Sequence, residues 1–362
     1  MRVLTWASGT ISIDLLNLTG SETNMKSLFN INNRVMGKFL FAFGLMVIMM
    51  SCGKDVDQFI PRASQASTGN IDRLMSRLQS DLAGDIYTSV SCPCSGAKAF
   101  KIDKDVVIVL PPDFVDLNQF PCPESGYFEL QVTVCDTKGE MLVSGLPTVS
   151  EHKLLESRIE LDIKVSDGHQ NVQLAHGKQI RLLVNDPDPR DRMELFYGEN
   201  GEWIQADQNP DTWDNVGSND WAINLGSDTT QEIVTGFGYE CLSDSMDWVN
   251  VDVFFEISEE LRTPVCVNLP EEFTNRNTTV FMVFDNYNSI LQMHGDSTQM
   301  QFCEPYGATP IGFNVTFVVL SEMGEDDYYF ASKSTTITSG HIEIIDPRKT
   351  PYEEIKNYLN NL

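Results

Sequence analysis

The feature that most constrains this chain is an alternation of period two that recurs along most of its length. In YFELQVTVCD, Phe128, Leu130, Val132 and Val134 fall on one side and Glu129, Gln131 and Thr133 on the other. SRIELDIKVSDG repeats the device with Ile159, Leu161, Ile163 and Val165, then ends on the turn sequence Ser166-Asp167-Gly168. Successive side chains of a strand point to opposite faces, so such runs are half-buried β-strands. KDVVIVLPPDF is a strand buried on both faces and stopped by Pro111-Pro112. QIRLLVND and MELFYG follow, and Glu199-Asn200-Gly201-Glu202 reads as a hairpin turn before Trp203. Short strands with regular turns and one apolar face predict antiparallel sheets packed as a sandwich.

Residues 206–235 are rich in Asp, Asn, Gly, Ser and Thr and read as a linker or long loop. Strands resume with DWVNVDVFFEI, TPVCVNL, TTVFMVFD, FNVTFVVLSE, YYFASKSTTI and HIEIID, which predict a second all-β unit. Two helices flank the strands. Ile71, Leu74, Met75, Leu78 and Leu82 recur at helical spacing before the first sandwich. At the C-terminus, Thr350, Pro351 and Glu353 form a helix-start signal, with Ile355, Tyr358, Leu359 and Leu362 as its packing stripe. The expected fold is mainly β, with two antiparallel β-sandwich-like domains, a short helix before the first and a C-terminal helix. The first domain is placed at 69–205 and the second at 236–362.

The N-terminal region carries a different signal. Phe39 to Met50 is apolar or small throughout, about 18 Å as a helix against a hydrocarbon core of roughly 30 Å, too short to span. Lys26, Arg34 and Lys38 precede it, which makes a secretory signal pattern. Met49-Met50-Ser51-Cys52 resembles the lipobox of bacterial lipoproteins, and that resemblance implies cleavage before Cys52 and lipidation of its thiol. Met1 to Asn24 includes Asp14 and Glu22 and fits no targeting segment, so residues 1–51 read as a spurious N-terminal extension plus signal peptide, with the start at Met25 or Met36. Residues 52–68 are then a lipidated cysteine and tether. Lys54, Asp55 and Asp57 are either the surface-export signal of Bacteroidetes lipoproteins, which they resemble, or a plain polar tether.

Net charge is −27, from 25 basic and 52 acidic side chains. Nucleic-acid phosphates demand a positive face, so nucleic acid is excluded as a partner. Seven cysteines remain after Cys52: Cys92, Cys94, Cys122, Cys135, Cys241, Cys266 and Cys303. An exported chain meets oxidising conditions, so disulfides are expected and at least one thiol is left over within the chain. Cys92-Pro93-Cys94 fits neither zinc nor redox spacing and points to structural bonds with partners elsewhere, Cys122 and Cys135 being the candidates.

The order of several loose motifs carries a family likeness. Pro111-Pro112, Gly139-Glu140-Met141, Leu146-Pro147-Thr148-Val149-Ser150 and Lys153-Leu154-Leu155-Glu156 are followed by HGKQIRLLV, MELFYGENGEW, Asp247-Trp248-Val249-Asn250-Val251-Asp252 and Pro310-Ile311-Gly312. From Leu74 to Leu362 the chain resembles a domain of Bacteroidetes envelope lipoproteins, with Ser157 and Arg158 where that pattern often has glycines. The first half is also similar, more remotely, to the β-sandwich module of ankyrins and netrin receptors. Some relatives of that module cleave themselves at His-Phe-Ser; the five histidines here precede Lys153, Gln170, Gly177, Gly295 and Ile342, so that activity is not implied. The likeness implies a cell-envelope location and no particular reaction; together with the lipobox, the expected location is the outer membrane, lipid-anchored, with the domains surface-exposed or facing the periplasm.

No nucleophile elbow, zincin helix, phosphate loop or dinucleotide fingerprint occurs. Asp207, Asn209 and Asp211 place oxygens at alternate positions, as the start of a calcium loop does, but the sixth position is Thr212 rather than glycine. Calcium is therefore the one cofactor candidate, against a plain polar loop. Trp213 and Trp221, in the 206–235 stretch, are the candidates for a sugar-stacking platform, against packing in a core. The expected role is a non-catalytic envelope module that is structural or adhesive. Its partners are the membrane, through the lipid, and envelope proteins or glycans; a calcium-assisted carbohydrate module is the alternative, and a hydrolase the third.

Overall fold

The computed structural model describes residues 69–102, 105–199, 201–206, 217–226, 232–296 and 301–362. In chain order these form α1 (Ile71–Ile86), β1 (Tyr87–Pro93), β2 (Lys98–Lys101), β3 (Val106–Leu110), β4 (Tyr127–Cys135) and α2 (Lys138–Ser144). There follow β5 (Val149–Ser150), β6 (Lys153–Ser166), β7 (Ile180–Asn185), β8 (Glu194–Glu199), β9 (Glu202–Gln205), β10 (Gly217–Asn224), β11 (Ile233–Ser243) and β12 (Trp248–Phe254). The last part holds β13 (Val265–Asn268), β14 (Thr278–Phe284), β15 (Ile290–Asp296), β16 (Gln301–Cys303), β17 (Asn314–Gly324), β18 (Asp327–Thr336), β19 (His341–Ile344), β20 (Arg348–Lys349) and α3 (Tyr352–Asn360).

The mainly β fold expected from the alternation is present, with a helix before the first strand and another at the C-terminus. A seven-stranded sheet in the order β1-β4-β6-β12-β8-β9, with β5 beside β6, faces a five-stranded sheet in the order β10-β11-β7-β3-β2. Phe128, Leu130, Val132 and Val134 of β4 and Ile159, Leu161, Ile163 and Val165 of β6 pack against Ile108, Leu182, Val184 and Tyr239 of the opposing sheet. That is the face the alternation selects. β8 and β9 form the expected hairpin, Glu199 opposite Glu202.

The eight-stranded sheet, β19-β13-β16-β15-β14-β17-β18-β20, curls over itself. Val265 and Val267 of β13 share one core with Val280, Met282 and Phe284 of β14 and Val315, Phe317 and Val319 of β17, although β13 is not beside β14 or β17. The other face of β14 and β17 carries Phe281, Val283, Val318 and Leu320, which pack against Leu74, Leu78 and Leu82 of α1, Leu142 of α2 and Ile355 and Leu359 of α3. Gly139 lets α2 and α3 touch, because a Cβ there would lie 1.9 Å from the Leu359 carbonyl oxygen. All described residues belong to one compact unit.

Three expectations are corrected. The 206–235 linker contains β10 and the start of β11, paired from Gly217↔Glu240 to Asn224↔Ile233. The second domain does not begin at 236, since that position lies inside β11 and β12 runs between β6 and β8 of the first sandwich. Val249 and Val251 of β12 are core residues of that sandwich, a long-range pairing invisible to local pattern. The lobes also interlock: Val149 and Leu154 lie in the core of the eight-stranded sheet, and Thr148 N donates to Ile290 O at 3.0 Å. Finally, α3 starts at Pro351 without a side-chain cap, and Thr350 Oγ1 donates instead to Arg348 O. The capping box occurs on α2, where Thr137 and Glu140 exchange the two bonds.

Candidate functional site

The outer face of a sandwich sheet is where alternation sends polar side chains to water. Here that face of β6 and β12 is covered by α2, by the segment after it and by the aromatic cluster of Phe196 and Trp203. Glu160, Asn250 and Asp252 are thereby almost wholly buried, with Glu156, Ser157 and Asp162 nearly so. The register sets Glu160 opposite Asn250 and, beyond a bulge that leaves Arg158 as the extra residue, Ser157 opposite Asp252. Asn250 Nδ2 donates to Ser157 Oγ at 3.0 Å and to Asp252 Oδ2 at 2.7 Å. Ser144 Oγ, at the end of α2, lies 3.0 Å from Glu160 Oε2.

Burial, and behind it the charge of Asp252, pushes Glu160 well above the usual carboxylate range. Burial does the same to Asp252, opposed by the hydrogen bond from Ser157. Burial also raises Cys135, which lies beside Glu160 on β4. Glu160 Oε1, Asn250 Oδ1 and Asp252 Oδ1 are buried and have no hydrogen-bond partner.

Next to this seam is a cavity of about 300 Å³ whose lining includes Glu156, Ser157, Arg158, Asp186, Arg190 and Asn288. Arg158 Nε donates to Asp186 Oδ2 at 2.9 Å, and Arg190 pairs with Glu156. Asn288 Nδ2 donates to Ser157 O at 3.0 Å, so the second lobe closes one wall. The cavity is polar and its opposite charges are largely paired with each other. Alternation alone assigns Glu160, Asn250 and Asp252 to solvent. The signal that distinguishes them is a polar row on β12, Asn250 and Asp252, inside an otherwise apolar strand.

The site residues expected from sequence divide as follows. Cys52, the calcium candidates Asp207, Asn209 and Asp211, and Trp213 lie outside the described residues. Trp221 is not part of an exposed platform. It is 6% exposed and packs with Val107 and Leu183. Its ring lies over Gly236, its partner on β11, where a Cβ would come within 2.2 Å of Trp221 Cζ2. Trp203 and Trp248 meet edge to face at 6.5 Å, also as packing. Among the described residues, no group of three or more His, Cys, Asp or Glu is arranged to hold a metal ion.

Cys94 bonds to Cys122, one of its two candidates, and Cys266 bonds to Cys303 across β13 and β16. Cys92, Cys135 and Cys241 are free and buried. Burial pushes the Cys92 thiol up to about 11 and the Cys241 thiol up to about 12, which makes both poor nucleophiles. An exposed apolar strip lies on β19, where Ile342 is 57% and Ile344 71% exposed. Leu261 and Ile311, also exposed, are joined by a backbone hydrogen bond of 2.8 Å. No family model matches the chain, and no curated protein matches it.

Proposed function

We propose that this chain is a non-catalytic lipoprotein of the cell envelope. Cys52 is its lipidated residue, the stretch after it a tether, and the β unit an interaction module at the outer membrane. Two disulfides support the exported reading, because such bonds persist in oxidising compartments. The signal-like run before Cys52 and the likeness to Bacteroidetes lipoproteins support the same reading. The tether leads to α1 at the second lobe, where Ile71 N donates to Arg276 O and Arg73 pairs with the buried Glu322.

The observation that carries the interaction role is the apolar strip of Ile342 and Ile344 on β19, at the edge of the eight-stranded sheet. Large apolar side chains grouped on an exposed face mark contact surfaces more often than scattered ones do. The test is crosslinking and pull-down from the protein's own envelope, comparing wild type with the Ile342→Glu, Ile344→Glu variant. The variant loses the partners that wild type captures. Capture of the same partners by both would remove β19 as the contact surface.

A further inference from the structure

The network around Glu160 is short of hydrogens. Ser144 Oγ has one hydrogen and two acceptors in reach, Met141 O at 2.7 Å and Glu160 Oε2 at 3.0 Å. Glu160 Oε1 and Asn250 Oδ1, on residues directly opposite in the ladder, are both buried acceptors with nothing to accept. Asn250 has spent both amide hydrogens, on Ser157 and Asp252. Asp252 Oδ2 has a hydrogen of its own from Asn250, whereas Glu160 Oε2 shares the single hydrogen of Ser144 with Met141 O.

We propose that Glu160 is a proton-held latch: its protonated carboxyl closes the joint between the first sandwich and α2, and its ionisation opens it. A single hydrogen on Glu160 reduces the deficit: on Oε1 it can be donated toward Asn250 Oδ1, and on Oε2 to Ser144 Oγ, which frees the Ser144 hydrogen for Met141 O. An ionised Glu160 leaves a buried charge without a cation against it. The charged and titratable groups around the joint confirm the imbalance. Beside Glu160 on β4 and the turn after it are Cys135 and Asp136; α2 supplies Glu140, and β12 supplies Asp252. β8 supplies Glu194, opposite Asp252, and the charge of Asp162 acts on Asp247. The cations are spent elsewhere: Lys164 on Asp162, Arg190 on Glu156, Arg158 on Asp186, and Lys138 on the carbonyls of Phe284 and Asp285.

The sign follows from where the proton sits. A Glu in the unfolded chain titrates near ~4.3, and the folded carboxyl titrates higher, so above that pH the folded state holds the extra proton. The latch is complete at acid pH and is lost as pH rises through the raised folded value. Over that window the unfolding equilibrium constant rises by about tenfold per pH unit for the one proton.

The test compares wild type with Glu160→Gln, whose amide supplies the hydrogen at every pH, by following denaturant unfolding from acid to alkaline pH. The pH dependence of Glu160→Gln is smaller by one proton, and the variant is the more stable of the two at alkaline pH. Equal slopes, or a variant less stable than wild type at every pH, would overturn the proposal. A direct readout covers a variant that does not fold: carbon-13-labelled Glu carboxyls of wild type, followed by infrared or NMR titration. A Glu carboxyl that titrates well above the ordinary carboxylate range is expected, and none would overturn the latch. Opening is read by alkylation of Cys135 relative to Cys241. In wild type Cys135 becomes accessible first as pH rises; equal protection of both at all pH values would show that the joint does not open.

Discussion

Removing the Cys94–Cys122 bond gives a stability change that can be worked from chain length. The bond closes a loop with a sequence separation of 28 residues. Chain-entropy arithmetic for such a loop gives about 3.6 kcal/mol at room temperature, or a roughly 400-fold shift in the unfolding equilibrium. The loop spans β2 and β3, and Cys94 lies in the sandwich core. The Cys94→Ala, Cys122→Ala variant is therefore expected to fold and to unfold at lower urea concentration. Reductant should lower the wild-type midpoint and leave less to lose in the variant. The assay is urea unfolding followed by tryptophan fluorescence, with thiols counted by alkylation and mass spectrometry before and after reduction. A wild-type protein purified from its own envelope with all seven downstream thiols alkylated without reduction would refute the reasoning. So would a variant with unchanged stability.

Other outcomes follow from the same contacts. Trp221→Ala empties a core position and is expected to cost about 3–5 kcal/mol, measured by denaturant unfolding; glycan binding that disappears while the fold survives would restore the platform reading. Thr137→Ala removes the α2 capping box and costs about 1 kcal/mol in the same assay, with the core packing unchanged. Gly139→Val drives a side chain into the Leu359 carbonyl and should release α3, seen as faster proteolysis after Ile355. Native Cys92 and Cys241 resist alkylation at neutral pH and react once the protein is unfolded, since both are buried and their thiols are held protonated.

Local pattern exposes part of this fold and hides the rest. The inward faces of β4 and β6 are legible because one face is apolar at every second residue, and α1 because its stripe has helical spacing. The β8–β9 hairpin is legible from its Asn-Gly turn. α2 is not, although Thr137 and Glu140 spell its start, because it is too short for periodicity to show. β12 reads as a strand, but nothing local says that it joins β6 and β8. The same limit applies to Trp221, whose burial depends on a glycine opposite it on β11. Glu160, Asn250 and Asp252 are hidden most thoroughly. Their alternation is that of a solvated face, and it is the packing of α2, the segment after it and the Phe196–Trp203 cluster over that face that turns them into a buried network.

The location proposed for the protein rests on Cys52. Fatty-acid labelling in the native host, wild type against Cys52→Ala, tests that assignment most directly. The account predicts a labelled wild-type band in the membrane fraction and no label on the variant. Equal labelling of both proteins, or no label on wild type, would contradict it.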